Sequence, residues 1–243
     1  MDVDELKNKA RRAPTQHVED AFCRLFLRNI SIRITKYFVR TRITPNQITI
    51  LSFLIGVLAA VCFAIGEHVY LITGAILIQL SLIFDLVDGE VARIRSLKSR
   101  EGAWLDPLLD IIGTGLLFLG MAFGLQTRTN YVFAWALSYL AFFGHAIGSF
   151  SSSRQLGIYG KREVSKIKEE SNFGVMLKLY ENLYGMGSIT LLFSIGAVLN
   201  QLVVSLILFT ISSNLDWIGK FAWYYGKHKK DKGNIEKHHS TIS

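Results

Sequence analysis

Four aspartates stand close together in an otherwise apolar stretch: Asp85, Asp88, Asp106 and Asp110, within twenty-six positions. An ionised Asp inside a membrane span costs roughly 2.5–3.5 kcal/mol on insertion scales, so this group calls for a cation to offset it. Asp85 and Asp88 are spaced i, i+3, and Asp106 and Asp110 i, i+4, so on helices each pair shares a face. Two such faces make a metal site. Gly89 follows Asp85 by one turn and Ala92 follows Asp88 by one turn, which leaves the acidic face without bulky side chains and open to a ligand. Arg93 continues that face, and its planar fork suits a pair of phosphate oxygens. An all-carboxylate donor set favours Mg²⁺ or Mn²⁺ over zinc. A diphosphate is the natural substrate, with two divalent ions about 3.5–4 Å apart at the entering and leaving oxygens.

These positions form the pattern D-x2-D-G-x2-A-R-x8-G-x3-D-x3-D, complete from Asp85 to Asp110. The pattern resembles the signature of the CDP-alcohol phosphotransferase family, and the segment from Thr44 to Thr49 is similar to the start of that family's first span. The resemblance implies an integral membrane enzyme that transfers a phospho-alcohol group from a CDP-linked donor to an acceptor alcohol and releases CMP. It also implies metal binding by Asp85, Asp88, Asp106 and Asp110, with Asp110 as general base. The CDP donor would meet Asn46, Thr49, Asp85, Gly89, Ala92, Arg93, Ser99 and Gly102, and the family's common state is a homodimer.

Each residue also has a structural reading. The aspartates could pair with Arg93, Arg95, Lys98 and Arg100, but an ion-pair network explains neither the glycines nor the register of two helices joined by a short turn. Gly89, Ala92 and Gly102 suit close helix packing as well as ligand access. Arg93 also fits a cytoplasmic membrane anchor, Thr49 and Ser99 also fit helix caps, and Pro45 is an ordinary helix start. Arg154, Lys161 and Arg162 are candidates to hold a phosphorylated acceptor, against the plainer reading of a basic cytoplasmic loop. Glu181 and Asn182 could line an acceptor cavity. His145 reads as a core histidine, and Cys23 and Cys62 have no metal-like spacing.

The elements that must position these groups are membrane helices. The chain has 243 residues, half of them hydrophobic, and a net charge of +8, a composition that points to an all-α, multi-span membrane protein. About six spans are expected, near 45–66, 70–95, 103–126, 130–151, 173–199 and 201–225. Residues 1–43 form an N-terminal segment, 44–225 the catalytic domain and 226–243 a disordered basic tail. Within the first segment, Arg28 to Arg42 reads as an interfacial helix with Ile30, Ile34, Tyr37 and Phe38 on one side and Arg33, Lys36 and Arg40 on another. Basic residues gather in alternate connections, which argues against nucleic acid and places both termini and the acidic motif on the cytoplasmic side. The motif then lies about 10 Å below that interface, within reach of a soluble nucleotide.

Two features bear on the alcohols. A bilayer-embedded site favours a lipid donor such as CDP-diacylglycerol or an ether-lipid equivalent. Gly89-Glu90, the run from Gly102 to Asp106 and the basic N-terminal segment are instead similar to archaeal-type enzymes that use CDP-inositol and inositol phosphate. Ile111 stands where several such relatives carry Arg or Lys, which argues against a phosphorylated acceptor. Membrane prenyltransferases are excluded, since their N-D-x2-D-x3-D motif would need Asn at Phe84 and Asp at Ala92. A non-enzymatic cation carrier could use four intramembrane aspartates but has no need of Gly89 and Arg93.

Overall fold

The first long helix starts where the sequence places a capping box. Thr44 accepts from the Gln47 backbone N–H, and the Gln47 side chain accepts from the Thr44 N–H at 2.9 Å, with Pro45 in the first turn. Such a cap contributes about 1 kcal/mol. The computed structural model describes residues 20–97, 99–169, 174–176 and 185–240, with side chains described except at 159, 161–163, 165–169 and 226–240. Among the described residues the chain is all-helical. A π-helical turn, Cys23–Leu27, leads into α1 (Arg28–Phe38), followed by α2 (Pro45–Ile65), α3 (His68–Ile94), α4 (Arg100–Thr129), α5 (Ala134–Glu169), α6 (Met186–Val198) and α7 (Leu202–Ser240).

Among the described residues, four helices are long and apolar enough to cross a membrane: α2, α3, α4 and Leu202–Tyr225 of α7. On α2 the exposed Ile50, Leu54, Leu58, Val61 and Ile65 form one stripe at helical spacing, a lipid-facing side. Three connections turn sharply at left-handed residues, Gly66 (φ 73°), Asn130 (φ 51°) and Asn200 (φ 55°), the residue types that tolerate that region best.

The two helices that carry the aspartates, α3 and α4, do not pack directly along one another among the described residues; both pack against α2. The α2–α3 contact is close because Ser52 and Ser81 each donate to the other's carbonyl, at 2.8 and 2.9 Å. The α2–α4 contact is closer still. A Cβ on Gly120 would run into the Ala60 carbonyl oxygen, and one on Gly124 into that of Phe63, so this G-x3-G pair lets the backbones touch. Gly120→Val should therefore lower stability by about 3 kcal/mol, read as a fall in detergent melting temperature. Gly115→Ala, whose new Cβ would meet Phe142 at an ordinary 3.4 Å, should not.

On the other side of the molecule, Phe118 stacks on Phe209 at 5.3 Å between ring centroids and Phe193 meets both rings. These rings join α4, α6 and α7. Helices α5 and α7 are also joined through Lys220, whose Nζ donates to Asp216 Oδ2 at 2.7 Å and Ser152 Oγ at 3.1 Å. His145 packs beside Phe209, ring centroids 6.1 Å apart.

Four expectations require correction. The span expected at 173–199 is not one continuous helix: residues 174–176 are helical, 177–184 lie outside the described part, Glu181 and Asn182 among them, and α6 begins at Met186 after the bend at Gly185. Gly185 is extended (φ −109°, ψ −175°) and a Cβ there would strike Asp20. The Asp20 carboxylate, 1% exposed, accepts from the Ser188 N–H at 2.8 Å and the Cys23 N–H at 2.7 Å. The cap that starts α6 thus comes from the N-terminal segment. At thirteen residues α6 is about 20 Å long, short of the roughly 30 Å of a hydrocarbon core.

Second, the basic stretch 154–168, expected as a loop, continues α5, with a break at Gly160 (φ 75°, ψ 156°). Helix-forming Lys, Arg and Glu carry it onward. Third, α7 runs through 226–240 into the segment expected as a disordered tail, which is rich in Lys and contains no proline. Fourth, the α1 helix ends at Phe38 rather than Arg42. Its expected apolar side is divided: Ile34 and Phe38 pack on Ile48, Val87 and Val91, whereas Ile30 and Tyr37 are exposed. The deeply buried positions are Ser31, Ile32 and Thr35.

Candidate metal and nucleotide site

The last third of α3 and the first third of α4 supply the four carboxylates. Asp85, Asp88 and Asp106 each offer an oxygen within 4.8 Å of the other two. They reach across the gap between α3 and α4, with α2 as the floor. Asp88 is 7% exposed, and its Oδ2 is buried with no hydrogen-bond partner among the described residues. A buried carboxylate oxygen without a donor is costly, and a divalent cation would satisfy it. The donor set consists of oxygen only, so the residues fit Mg²⁺ or Mn²⁺. Asp110 stands apart from this trio, one turn further along α4, exposed, and within electrostatic range of Asp85 and Asp106.

The nucleotide-binding candidates gather at the same end of the helices. Thr49, 8% exposed, faces Asp88 and donates its hydroxyl to the Pro45 carbonyl at 3.1 Å; it is not the helix cap, which is Thr44. Ser99 does cap α4, accepting from the Gly102 N–H at 2.9 Å. Asn46 reaches from α2 to α4, so that a Cβ on Gly102 would lie 2.8 Å from Asn46 Oδ1. Ala92 is half-buried one turn beyond Asp88. The Arg93 guanidinium folds back along α3 over Gly89, its Nη1 3.1 Å from where a Cβ would be.

One clamp that sequence reasoning missed fixes the mouth of this region. Arg95 donates from Nη1 to the Ile43 carbonyl at 2.7 Å and from Nη2 to that of Thr41. It thereby ties the α3–α4 turn to the segment that leads into α2. Of the acceptor candidates, Arg154 is exposed on α5. Lys161 and Arg162 lie just past the Gly160 break, and their side chains are outside the described set.

A family model for CDP-alcohol phosphatidyltransferase matches residues 42–180, more than half of the chain and all of the acidic motif. The chain belongs to the CDP-alcohol phosphatidyltransferase family. This family member is 32% identical over 169 residues to the bifunctional IPC transferase and DIPP synthase of Aquifex aeolicus, covering 69% of this chain and 38% of that protein. It is 31% identical over 122 residues to the archaetidylinositol phosphate synthase of Pyrococcus horikoshii, covering 50% of this chain and 60% of that one. It thus spans less than two thirds of either. The phosphatidylinositol phosphate synthase of Mycobacterium tuberculosis shares the fold. With CDP-DAG bound, its structure gives a TM-score of 0.61 at 20% identity, over 80% of this chain and 92% of that chain. A second structure of that synthase, with manganese and citrate, gives 0.58 at 18% identity, over 80% and 88%. This family member is accordingly an integral membrane protein, and its acidic motif from Asp85 to Asp110 lies wholly within the matched region.

The Asn46–Gly102 contact gives a sharp local test of this CDP-alcohol phosphatidyltransferase. Gly102→Ala should push the Asn46 side chain away and raise KM for a CDP-linked donor about tenfold, with kcat nearly unchanged. Steady-state kinetics against donor concentration would read this directly.

Proposed function

We propose that the chain transfers a phospho-alcohol group from a CDP-linked lipid to an acceptor alcohol, releasing CMP. The observation that carries this reading is the convergence of Asp85, Asp88 and Asp106 across the α3–α4 gap, with Asp110 exposed on the next turn of α4. Asp85, Asp88 and Asp106, with Asp110 sharing one ligand position, would hold two divalent ions. Those ions would supply charge neutralisation to the diphosphate and the departing CMP.

The protein's own groups divide the remaining work. Arg93, Asn46, Thr49, Ser99 and the backbone exposed at Gly89, Ala92 and Gly102 bind and orient the CDP diphosphate. Asp110 accepts the proton of the acceptor hydroxyl as that oxygen attacks the phosphorus bearing the donor alcohol. The phosphoanhydride bond breaks and CMP leaves with the electron pair. The proton on Asp110 returns to solvent through its exposed side. Six membrane crossings, with α5 and the α6 region as the fourth and fifth, would put both termini and the site on the cytoplasmic side.

A lipid donor is supported by a site sunk among lipid-facing helices and by the name of the Pyrococcus relative. A second reading takes CDP-inositol as donor and a polyol phosphate as acceptor, with Arg154, Lys161 and Arg162 holding the acceptor phosphate. The bifunctional Aquifex relative favours it, and the apolar Ile111 next to Asp110 does not. Incubating the purified protein with Mg²⁺ or Mn²⁺, CDP-diacylglycerol, its ether-lipid analogue or CDP-inositol, and a mixed polyol and polyol-phosphate pool separates the readings by product mass. A phospholipid product supports the first and a water-soluble phosphodiester the second. Metal transport without any response to CDP-linked compounds would favour a cation carrier and refute both.

A further inference from the structure

Arg95 follows the first half of the acidic motif and has no part in the chemistry above. Its backbone is fixed by the way α3 ends. Ser96 is left-handed (φ 56°), the Leu97 N–H reaches back to the Ala92 carbonyl at 3.0 Å, and the Ser96 N–H to that of Arg93 at 3.4 Å. This is a Schellman turn. From it the Arg95 side chain reaches the connection between α1 and α2, where Nη1 donates to the Ile43 carbonyl at 2.7 Å and Nη2 to that of Thr41. A planar fork suits such a pair of acceptors.

The connection itself is bent by Thr41, whose hydroxyl donates to the Phe38 carbonyl at 2.9 Å and accepts from the Ile43 N–H at 3.3 Å. Further back, α1 is anchored to α3 where Ser31 and Thr35 donate to Glu90 at 2.8 and 2.6 Å. Thr44, the next residue after Ile43, caps α2. Arg95 therefore fixes where α2 begins. Asn46 lies in that first turn, and among the described residues its side chain makes no hydrogen bond that would hold it in place. Its position is inherited from the helix start. Asn46 Oδ1 lies 2.8 Å, and Ser99 Oγ 3.1 Å, from where a Cβ on Gly102 would be. The start of α2 is thus held between the end of α3, through Arg95, and the start of α4, at Gly102.

We propose that Arg95 is a positioning residue for the CDP-linked donor: by pinning the Thr41 and Ile43 carbonyls to the end of α3, it seats Asn46 against Gly102, where Asn46 meets the donor. This rests on the reading of Asn46 as a donor-binding residue given above. Arg95 acts through the start of α2 and leaves the four aspartates out of its chain of contacts.

The test separates geometry from charge in the full chain in lipid nanodiscs. Arg95→Gln is expected to raise KM for the CDP-linked donor and Kd for CDP about tenfold, with kcat within about twofold of wild type. Arg95→Lys keeps the charge but loses the fork, and should raise the same KM about threefold. Arg42→Gln removes an exposed charge from the same connection without touching the clamp, and should leave KM within about twofold of wild type. The Mn²⁺ concentration for half-maximal activity should be unchanged in all three. Asn46→Ala should raise KM at least as much as Arg95→Gln, and the double variant no further than Asn46→Ala alone, because both changes remove one contact. A wild-type KM in Arg95→Gln or in Arg95→Lys would overturn the proposal, and Arg95→Lys carries that test by itself should Arg95→Gln not be recovered folded. Effects of Arg95→Gln and Asn46→Ala that multiply would also overturn it. Asn46→Ala with unchanged CDP affinity would overturn the donor-binding role of Asn46 and the proposal with it, whereas a wild-type protein that neither binds CDP nor releases CMP would refute the transferase reading itself.

Discussion

Asp110→Asn should abolish turnover while leaving CDP binding largely intact. The asparagine keeps the size and one oxygen of the side chain but cannot take up the hydroxyl proton, and loss of a positioned general base typically costs 10²–10⁴-fold, roughly. Asp110 lies one turn along α4 from Asp106, outside the group of three mutually adjacent carboxylates, and is exposed, which fits the proposed division of labour. Kinetics should show kcat falling by about that factor, and calorimetry with CDP in the presence of Mn²⁺ should show a Kd close to wild type. Wild-type turnover would refute the base assignment.

Asp88→Asn should act differently, removing metal and nucleotide affinity together. Asp88 is the most buried of the four, and its Oδ2, without a hydrogen-bond partner among the described residues, is an atom that a cation would satisfy. Losing even an outer-shell partner of a metal site costs about 10–100-fold in affinity or activity, and a direct ligand should cost more. Mn²⁺ binding followed by electron paramagnetic resonance, with and without CDP, would show the ion free in solution in the variant at concentrations that saturate wild type. Asp85→Asn should follow the same pattern. An unchanged Mn²⁺ signal in both variants would mean that the ion binds elsewhere.

The grouping of the carboxylates was legible because it follows from local arithmetic. Spacings of three and four residues put Asp85 with Asp88 and Asp106 with Asp110 on single helix faces whatever the tertiary fold, and the structure brings three of the four together. Thr44 and Gln47 likewise advertise the start of α2. How the two acidic helices are held was less accessible. They meet across a gap over α2, an arrangement set by the Ser52–Ser81 exchange and by Gly120 and Gly124. The small-residue pattern was present in the sequence, but its partner helix was not.

The N-terminal segment shows a different limit. The periodicity places Ile30 and Tyr37 on a membrane-facing side, and both are exposed, but it does not reveal that Ser31 and Thr35 are buried against Glu90, more than fifty residues away, which accepts from their hydroxyls. Local hydrophobic pattern cannot reveal a pairing between a buried charge and distant donors. The same holds for Asp20, whose carboxylate starts α6 from the far end of the chain. Gly185 and Gly187, which make room for it, were a signal, beside the polar Lys178, Glu181 and Asn182, that a continuous span from 173 would be interrupted. A hydropathy pattern does not register a cap supplied from 168 residues away.

The central claim is that the carboxylates of α3 and α4 form the centre at which a CDP-linked phosphoanhydride is cut. Its most direct test is CMP release in proteoliposomes that contain CDP-diacylglycerol and a polyol or polyol-phosphate acceptor, wild type beside Asp110→Asn. CMP release should match transfer product one for one, stop when the divalent ion is chelated, and be absent in the variant. CMP release that continues undiminished in Asp110→Asn or after chelation would contradict it.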